Sequence, residues 1–259
     1  GDMKYRQIWA ASTNGNRMTG RFFSKDHPED GMAITAWRKT PDTHGIMSIV
    51  PAALKVGVET EIVISGVNLS GDVTLAGATV TVTSATADRI VLTARIDSGQ
   101  SGLAKVTVGT DVSDQNMALY TQVDYLKVTP EYGISRVGGG GGPIPKVNAQ
   151  FEATGYSFGP DGKQYTDDDL RLGRMPVIWS VDNYNQAAAD MQDTKYAGHI
   201  TAEGTFIPAV AGPNPERKYS TNNAGDLKII ATYSDGDRTL TAEAHLIATV
   251  QRWNNPPIM

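Results

Sequence analysis

The sequence contains no cysteine among its 259 residues. That absence alone removes thiolate nucleophiles, disulfides, Cys-ligated zinc and the covalent attachment of haem c through C-x-x-C-H. No run comes near the roughly eighteen consecutive apolar residues of a spanning helix, so no membrane insertion is expected. The start lacks the basic, apolar, small-residue order of a signal peptide, and "GDMKYRQ" reads as either an expression scar or the start of a cut chain. Positive charge is scarce too. Lys and Arg number 23 against 28 Asp and Glu, for a net charge of −5, and the basic residues are scattered. That pattern excludes nucleic acid as a partner and leaves no footprint for anionic lipid. Helical periodicity is weak except in "YNQAAADMQ" (184–192), which predicts one short helix; without a βαβ rhythm a dinucleotide fold is excluded.

What is present is β pattern. Hydrophobic residues make up 40 %, charged ones 20 % and aromatics 7 %, a composition that supports a folded protein with a sizeable core. The stretches "TEIVISGVNL" (60–69), "GDVTLAGATVTVTSAT" (71–86), "DRIVLTARI" (88–96) and "GLAKVTVGT" (102–110) alternate β-branched and polar residues. Breaks at Gly, Asn and Asp recur roughly every ten residues, the spacing of a sandwich. The expected fold is all-β: tandem Ig-like β-sandwiches preceded by a partial β-barrel segment. Residues 1–45 hold three strands, with Asn14-Gly15 as a hairpin signal, and are too few to bury a core of their own. They read as the closing strands of a barrel, and three orphan strands with an exposed edge suggest truncation. Residues 46–129 form a small Ig-like unit whose order P-A-A-L-K-x-G, G-x-N-L, D-x-T-L-x-G resembles the early-set (IPT/TIG-like) domains. Residues 130–259 make the second sandwich, with the glycine run 138–142 as a loop inside it and Trp179 in its core.

Four carboxylates, Asp161, Asp167, Asp168 and Asp169, crowd into the loop of "FGPDGKQYTDDDLRLG" (158–173). Calcium takes six to eight oxygens, and such a loop could supply several of them. EF-hand order fails, because Lys163 and Tyr165 stand where oxygen ligands belong; the alternative is a solvated turn cornered at Asp161-Gly162. His27, His44, His199 and His245 are isolated, without a second ligand at metal-site spacing, and His245 lies in a strand where a hydrogen-bonded role is the commoner one. No G-x-S-x-G elbow or S-x-x-K pattern appears, and no catalytic residue is assigned. A polar stretch of about fifteen residues around Asn214, Glu216, Arg217, Lys218 and Asn222-Asn223 is long for a hairpin connection. It is either a contact surface or a loop bonded to its own backbone. Trp253, followed by Asn-Asn-Pro-Pro, cannot continue a sheet and is expected to pack onto something.

Taken together, "GPNPERKYSTNNAGDLKIIATY", the terminal "AHLIATVQRWNNPPI", "VTPEYGISRVGGGGG" and "PVIWSVDNY" resemble the C-terminal part of the α subunit of quinohemoprotein amine dehydrogenase. "SIVPAALKVGVETEIVISGVNLSGDVTL" resembles that subunit's preceding Ig-like domain, and "MTGRFFSKDHPEDGMAITAWRK" the last strands of its barrel. The resemblance implies a periplasmic assembly that oxidises primary amines and passes electrons through haem c. In it a small subunit carries a tryptophan-derived quinone, a propeller β subunit encloses it, and the α subunit carries two haems in a cytochrome domain. This chain departs from that pattern by having no C-x-x-C-H, so no haem ligand carries over to any residue here. The role implied for it is structural and subunit-binding; the rival is a free-standing Ig-like envelope module for binding or adhesion.

Overall fold

The computed structural model describes residues 5–25, 31–40, 42–99, 101–140 and 144–250. It opens with the strands β1 (Tyr5–Ala11), β2 (Arg17–Ser24) and β3 (Gly31–Trp37), an antiparallel meander in that order. The Asn14-Gly15 pair lies in the β1–β2 turn, where Ser12 N donates to Arg17 O at 2.8 Å. Alternation places Tyr5, Trp9, Met18, Phe22 and Met32 on one face and Arg6, Arg17, Phe23 and Trp37 on the other. Ile8, Met32 and Trp37 are all exposed. Among the described residues no closed barrel is present; the first segment is an open sheet.

The first sandwich comprises β4 (Gly45–Val50), β5 (Ala53–Lys55), β6 (Thr60–Val67), β7 (Val73–Leu75), β8 (Thr79–Ala85), β9 (Arg89–Arg95), β10 (Gly102–Ala104), β11 (Val106–Val108), β12 (Asp111–Val112) and β13 (Met117–Tyr120). A four-stranded sheet of order β4-β6-β9-β8 faces two short sheets, β10-β13-β5 and β12-β11-β7. Ile62, Ile64, Ile90, Leu92 and Ala94 from the first sheet meet Leu54, Leu75, Val106, Val108 and Met117 from the others in one apolar cluster. The long run 71–86, continuous in sequence, is broken at Gly77, whose φ of +77° only glycine adopts without strain. The break lets the chain cross between sheets, β7 pairing with β11 and β8 with β9.

The second sandwich follows with β14 (Tyr125–Thr129), β15 (Tyr132–Arg136), β16 (Ala149–Gln150), β17 (Glu152–Ser157), β18 (Leu170–Arg174), β19 (Ile178–Asn183), the helices α1 (Gln186–Asp190) and α2 (Asp193–Tyr196), then β20 (Gly198–Ile200), β21 (Thr205–Pro208), β22 (Gly225–Asp235) and β23 (Arg238–Thr249). The sheet β15-β23-β22-β19 packs on β14-β17-β18 and β16-β21-β20 around Phe151, Phe206, Leu227, Ile229 and Leu246, all fully buried. Trp179 packs half-buried against this core. The short helix expected near 184–192 is α1, capped by the Asn185 side chain, which accepts from Ala188 N at 3.0 Å. The glycine run begins as a loop inside this domain, with Gly138 bridging to Val210 and Gly139 N donating to Ile144 O.

One strand sits differently from its place in the sequence reading. β14 pairs with β17, from Tyr125 opposite Tyr156 to Thr129 opposite Glu152, so it belongs to the second sandwich and the crossing lies between Tyr120 and Tyr125. Ala53 and Ala118 of the first sandwich close with Val123, Leu126, Leu170 and Leu172 into a third apolar cluster, flanked by Tyr120, Met175, Tyr233 and Leu240. The ion pair from Lys55 Nζ to Asp235 Oδ1, at 2.6 Å, fastens the same junction. Burial pushes the Tyr120 and Tyr233 hydroxyls above the usual phenol range, with Asp235 adding to it. Among the described residues no helix is long and apolar enough to cross a membrane.

Candidate functional site

The aspartate loop joins β17 to β18. Its carboxylates accept hydrogen bonds from the loop's own backbone. Asp161 Oδ1 takes Lys163 N at 2.8 Å, Asp168 Oδ2 takes Asp161 N at 3.3 Å, and Asp169 takes Gly159 N at 3.3 Å and Thr166 N at 3.1 Å. Asp169 Oδ2 also accepts the Tyr125 hydroxyl at 2.5 Å, which ties the loop to β14. Asp167 is exposed and takes no part in these bonds. Gly159 permits the closure, because a Cβ there would lie 2.2 Å from Asp168 Oδ2. Tyr125 stacks on Tyr156 at 4.9 Å and Phe158 at 5.9 Å, with Tyr165 edge-on at 5.1 Å, so an aromatic group backs the turn.

Burial pushes the Asp169 carboxyl up, but the Tyr125 hydroxyl and the N–H groups of Thr166, Gly159 and Tyr165 outweigh it and hold the group below its ordinary value of 3.8. The Thr166 side chain and the Asp161 N–H hold Asp168 low as well. Burial and the bond to Asp169 push Tyr125 far above the usual phenol range. Depressed carboxyl pKa values add stability that is present above the unfolded-state value and is lost as pH falls through the folded one. Asp169→Asn should therefore lower the melting temperature at neutral pH, with the gap to wild type closing below about pH 4. Scanning calorimetry across pH reads this, and a gap that persists in acid would contradict it. Among the described residues the loop's carboxylates are not gathered into a group of three that could hold a cation. The bonded geometry therefore expects one melting temperature in excess calcium and in excess chelator.

The long loop between β21 and β22 is organised around one buried cation. Arg217 is 5 % exposed and Asp193 6 %. The Arg217 Nη1 donates to Asn222 O and Ala224 O, each at 2.6 Å, while Nη2 donates to Met191 O at 3.0 Å and to Asp193 Oδ1. The second Asp193 oxygen accepts Asp226 N at 2.9 Å, at the start of β22. The asparagines complete the frame: Asn214 Nδ2 donates to Asn223 Oδ1 at 2.8 Å, and Asn223 Nδ2 to Val210 O at 3.1 Å. Arg217 also lies over Tyr196, 5.6 Å from the ring centroid. A cleft of about 640 Å³ runs beside it, lined by Arg217, Thr221, Ile247, Thr249 and others. The sequence marked this segment by its length alone. Nothing in "NPERKYS" distinguishes a buried arginine from its solvated neighbours, since its partner lies 24 residues away.

The histidines are engaged singly. His245 Nε2 meets Asp226 Oδ1 at 2.5 Å, and Tyr184 stacks on its ring at 3.7 Å; His44 Nδ1 meets Asp111 Oδ1 at 2.5 Å, and His199 is exposed. His27 and Trp253 lie outside the described residues. Among the described residues no group of three or more His, Asp or Glu side chains is placed to hold a metal ion. Haem c does not fit either, because the chain offers no thiol for its attachment.

The sequence profile described as quinohemoprotein amine dehydrogenase, alpha subunit domain III, matches residues 43–121, and that of alpha subunit domain IV matches residues 126–258. No match is found among curated proteins. Among solved structures, mouse clustered PcdhgC3 EC1-3 aligns at 10 % identity over 91 % of this chain and 77 % of that one, with a TM-score of 0.32. Chimeric titin Z1Z2 aligns at 16 % identity over 82 % of this chain and 100 % of that one (TM-score 0.31). Drosophila N-cadherin EC1-4 aligns at 8 % identity over 96 % and 68 % (TM-score 0.31). At these scores the structural likenesses carry no argument about function.

Proposed function

This chain belongs to the quinohemoprotein amine dehydrogenase α-subunit family, and on that premise we propose that it is a non-catalytic scaffold of a periplasmic amine dehydrogenase assembly. Domains III and IV of the family fall on the two sandwiches in register with their boundaries, and that observation supports the reading most. The shared apolar cluster and the Lys55–Asp235 pair join the two domains into one body. A scaffold needs that stiffness, because a spacer that flexes at its waist cannot hold a partner at a fixed distance.

In this reading the partners are a propeller β subunit and a small subunit bearing a tryptophan-derived quinone. Haem c and the quinone supply the redox chemistry from outside this chain, whose residues contribute binding surface and spacing. The test is direct. The purified chain, given a primary amine and an artificial electron acceptor, should show no turnover above the buffer rate, and should bind the purified companion subunits when these are immobilised. Turnover by the chain alone, or absence of binding, would sink the proposal.

A further inference from the structure

The cleft beside Arg217 reaches the end of β23, where Ile247, Thr249 and Val250 contribute to its lining. Two lining residues also carry polar atoms that are buried and without a hydrogen-bond partner among the described residues, Arg217 Nε and Thr221 Oγ1. Both terminal nitrogens of that guanidinium are engaged, so Nε is its one open donor. Native proteins rarely leave a buried donor unpaired, and such an atom marks the place of a missing partner. The lining holds two carboxylates, Asp193 and Asp226, to the one arginine, which disfavours an anion. What suits the cleft is a neutral acceptor, such as an amide oxygen, beside an apolar group that covers Ile247 and Val250.

The sequence supplies both directly after Val250, which is itself 43 % exposed. The segment 251–259, "QRWNNPPIM", offers amide oxygens at Gln251, Asn254 and Asn255, a large ring at Trp253 and a single cation, Arg252. Trp253 follows Val250 by three residues, so its Cα lies within about 10 Å of Val250 even in a fully extended chain. Pro256 and Pro257 lack the N–H groups that another turn of pairing in the sheet would need. The domain IV profile runs to residue 258, so the segment belongs to this domain and is no appendage to it. We propose that residues 251–259 are the occupant of the cleft, with Trp253 seated on Ile247 and Val250 and an amide oxygen of the segment accepting from Arg217 Nε. The segment then shields the Arg217–Asp193 pair from water, and the drier surroundings strengthen it.

The experiment uses the full chain, the chain ended at Val250 and a synthetic peptide of residues 251–259, with peptide binding read by calorimetry and methyl signals by NMR. The full chain should show Ile247 methyl signals displaced by the ring current of an indole. Trp253→Ala should abolish that displacement and lower the melting temperature by about 3–6 °C. The shortened chain should bind the peptide, and the full chain should bind it at least about 10-fold more weakly, because the tethered segment already holds the cleft. Equal binding to both chains would show a cleft open to a segment of another protein, and would overturn the proposal. An Ile247 signal indifferent to Trp253→Ala overturns it as well, and decides the matter alone should the shortened chain fail to fold.

Discussion

Replacing Arg217 by alanine should cost the second sandwich about 3–5 kcal/mol, because the Asp193 carboxylate would stay buried without its counter-charge. At the usual sensitivity of a domain this size, the melting temperature falls by roughly 10–15 °C. Three backbone carbonyls, of Met191, Asn222 and Ala224, lose their donors in the same step, so the loop from 209 to 224 should loosen before the sheet melts. Hydrogen exchange should show that order. Lysine should not rescue, since one ammonium cannot span acceptors arranged for a planar guanidinium. The double replacement Arg217→Ala with Asp193→Leu removes the orphaned charge and should cost less than the sum of the two single replacements, the non-additivity of a directly coupled pair. If Arg217→Ala melts within a degree or two of wild type, the loop is not held as described.

Val123→Asp is the second large effect. Val123 is fully buried between the two sandwiches, against Ala53 and Ala118 on one side and Leu126, Leu170 and Leu172 on the other. An unpaired carboxylate there should cost about 3–5 kcal/mol, spent on the junction and not on either core. The core around Ile64 lies apart from it, and the core around Phe151 meets it only through Val177 and Ala242. Wild type should therefore unfold in one transition, and the variant in two, with a larger radius of gyration in solution scattering. Lys55→Ala should act in the same direction and more weakly, since its pair with Asp235 is only half-buried. One transition with unchanged dimensions in Val123→Asp would show that the domains are not coupled through this cluster.

These two sites also show what the sequence could reveal. Alternation in 60–69 and 88–96 announced β6 and β9 directly, because one face of each is buried and the other is not. The family resemblance quoted from "VTPEYGISR" and "PERKYSTNN" was legible too, and the profile matches fall on those residues. The site geometry was not. The aspartate loop draws its meaning from Tyr125, 44 residues before Asp169, and Lys55 finds its partner 180 residues away. Such pairs are set by tertiary packing, and neither spacing nor composition encodes them. The strand 125–129 pairs with β17, as only the ladder between Tyr125 and Tyr156 reveals.

The claim on which the rest depends is that this chain works as a scaffold inside an amine dehydrogenase assembly. The most direct measurement is to recover it from its native source with an antibody and record the companion chains and the visible absorption spectrum together. The account expects a propeller subunit and a small quinone-bearing subunit in the same fraction, with haem absorption. A colourless chain that comes down alone would contradict it, and would make these domains a free-standing envelope module.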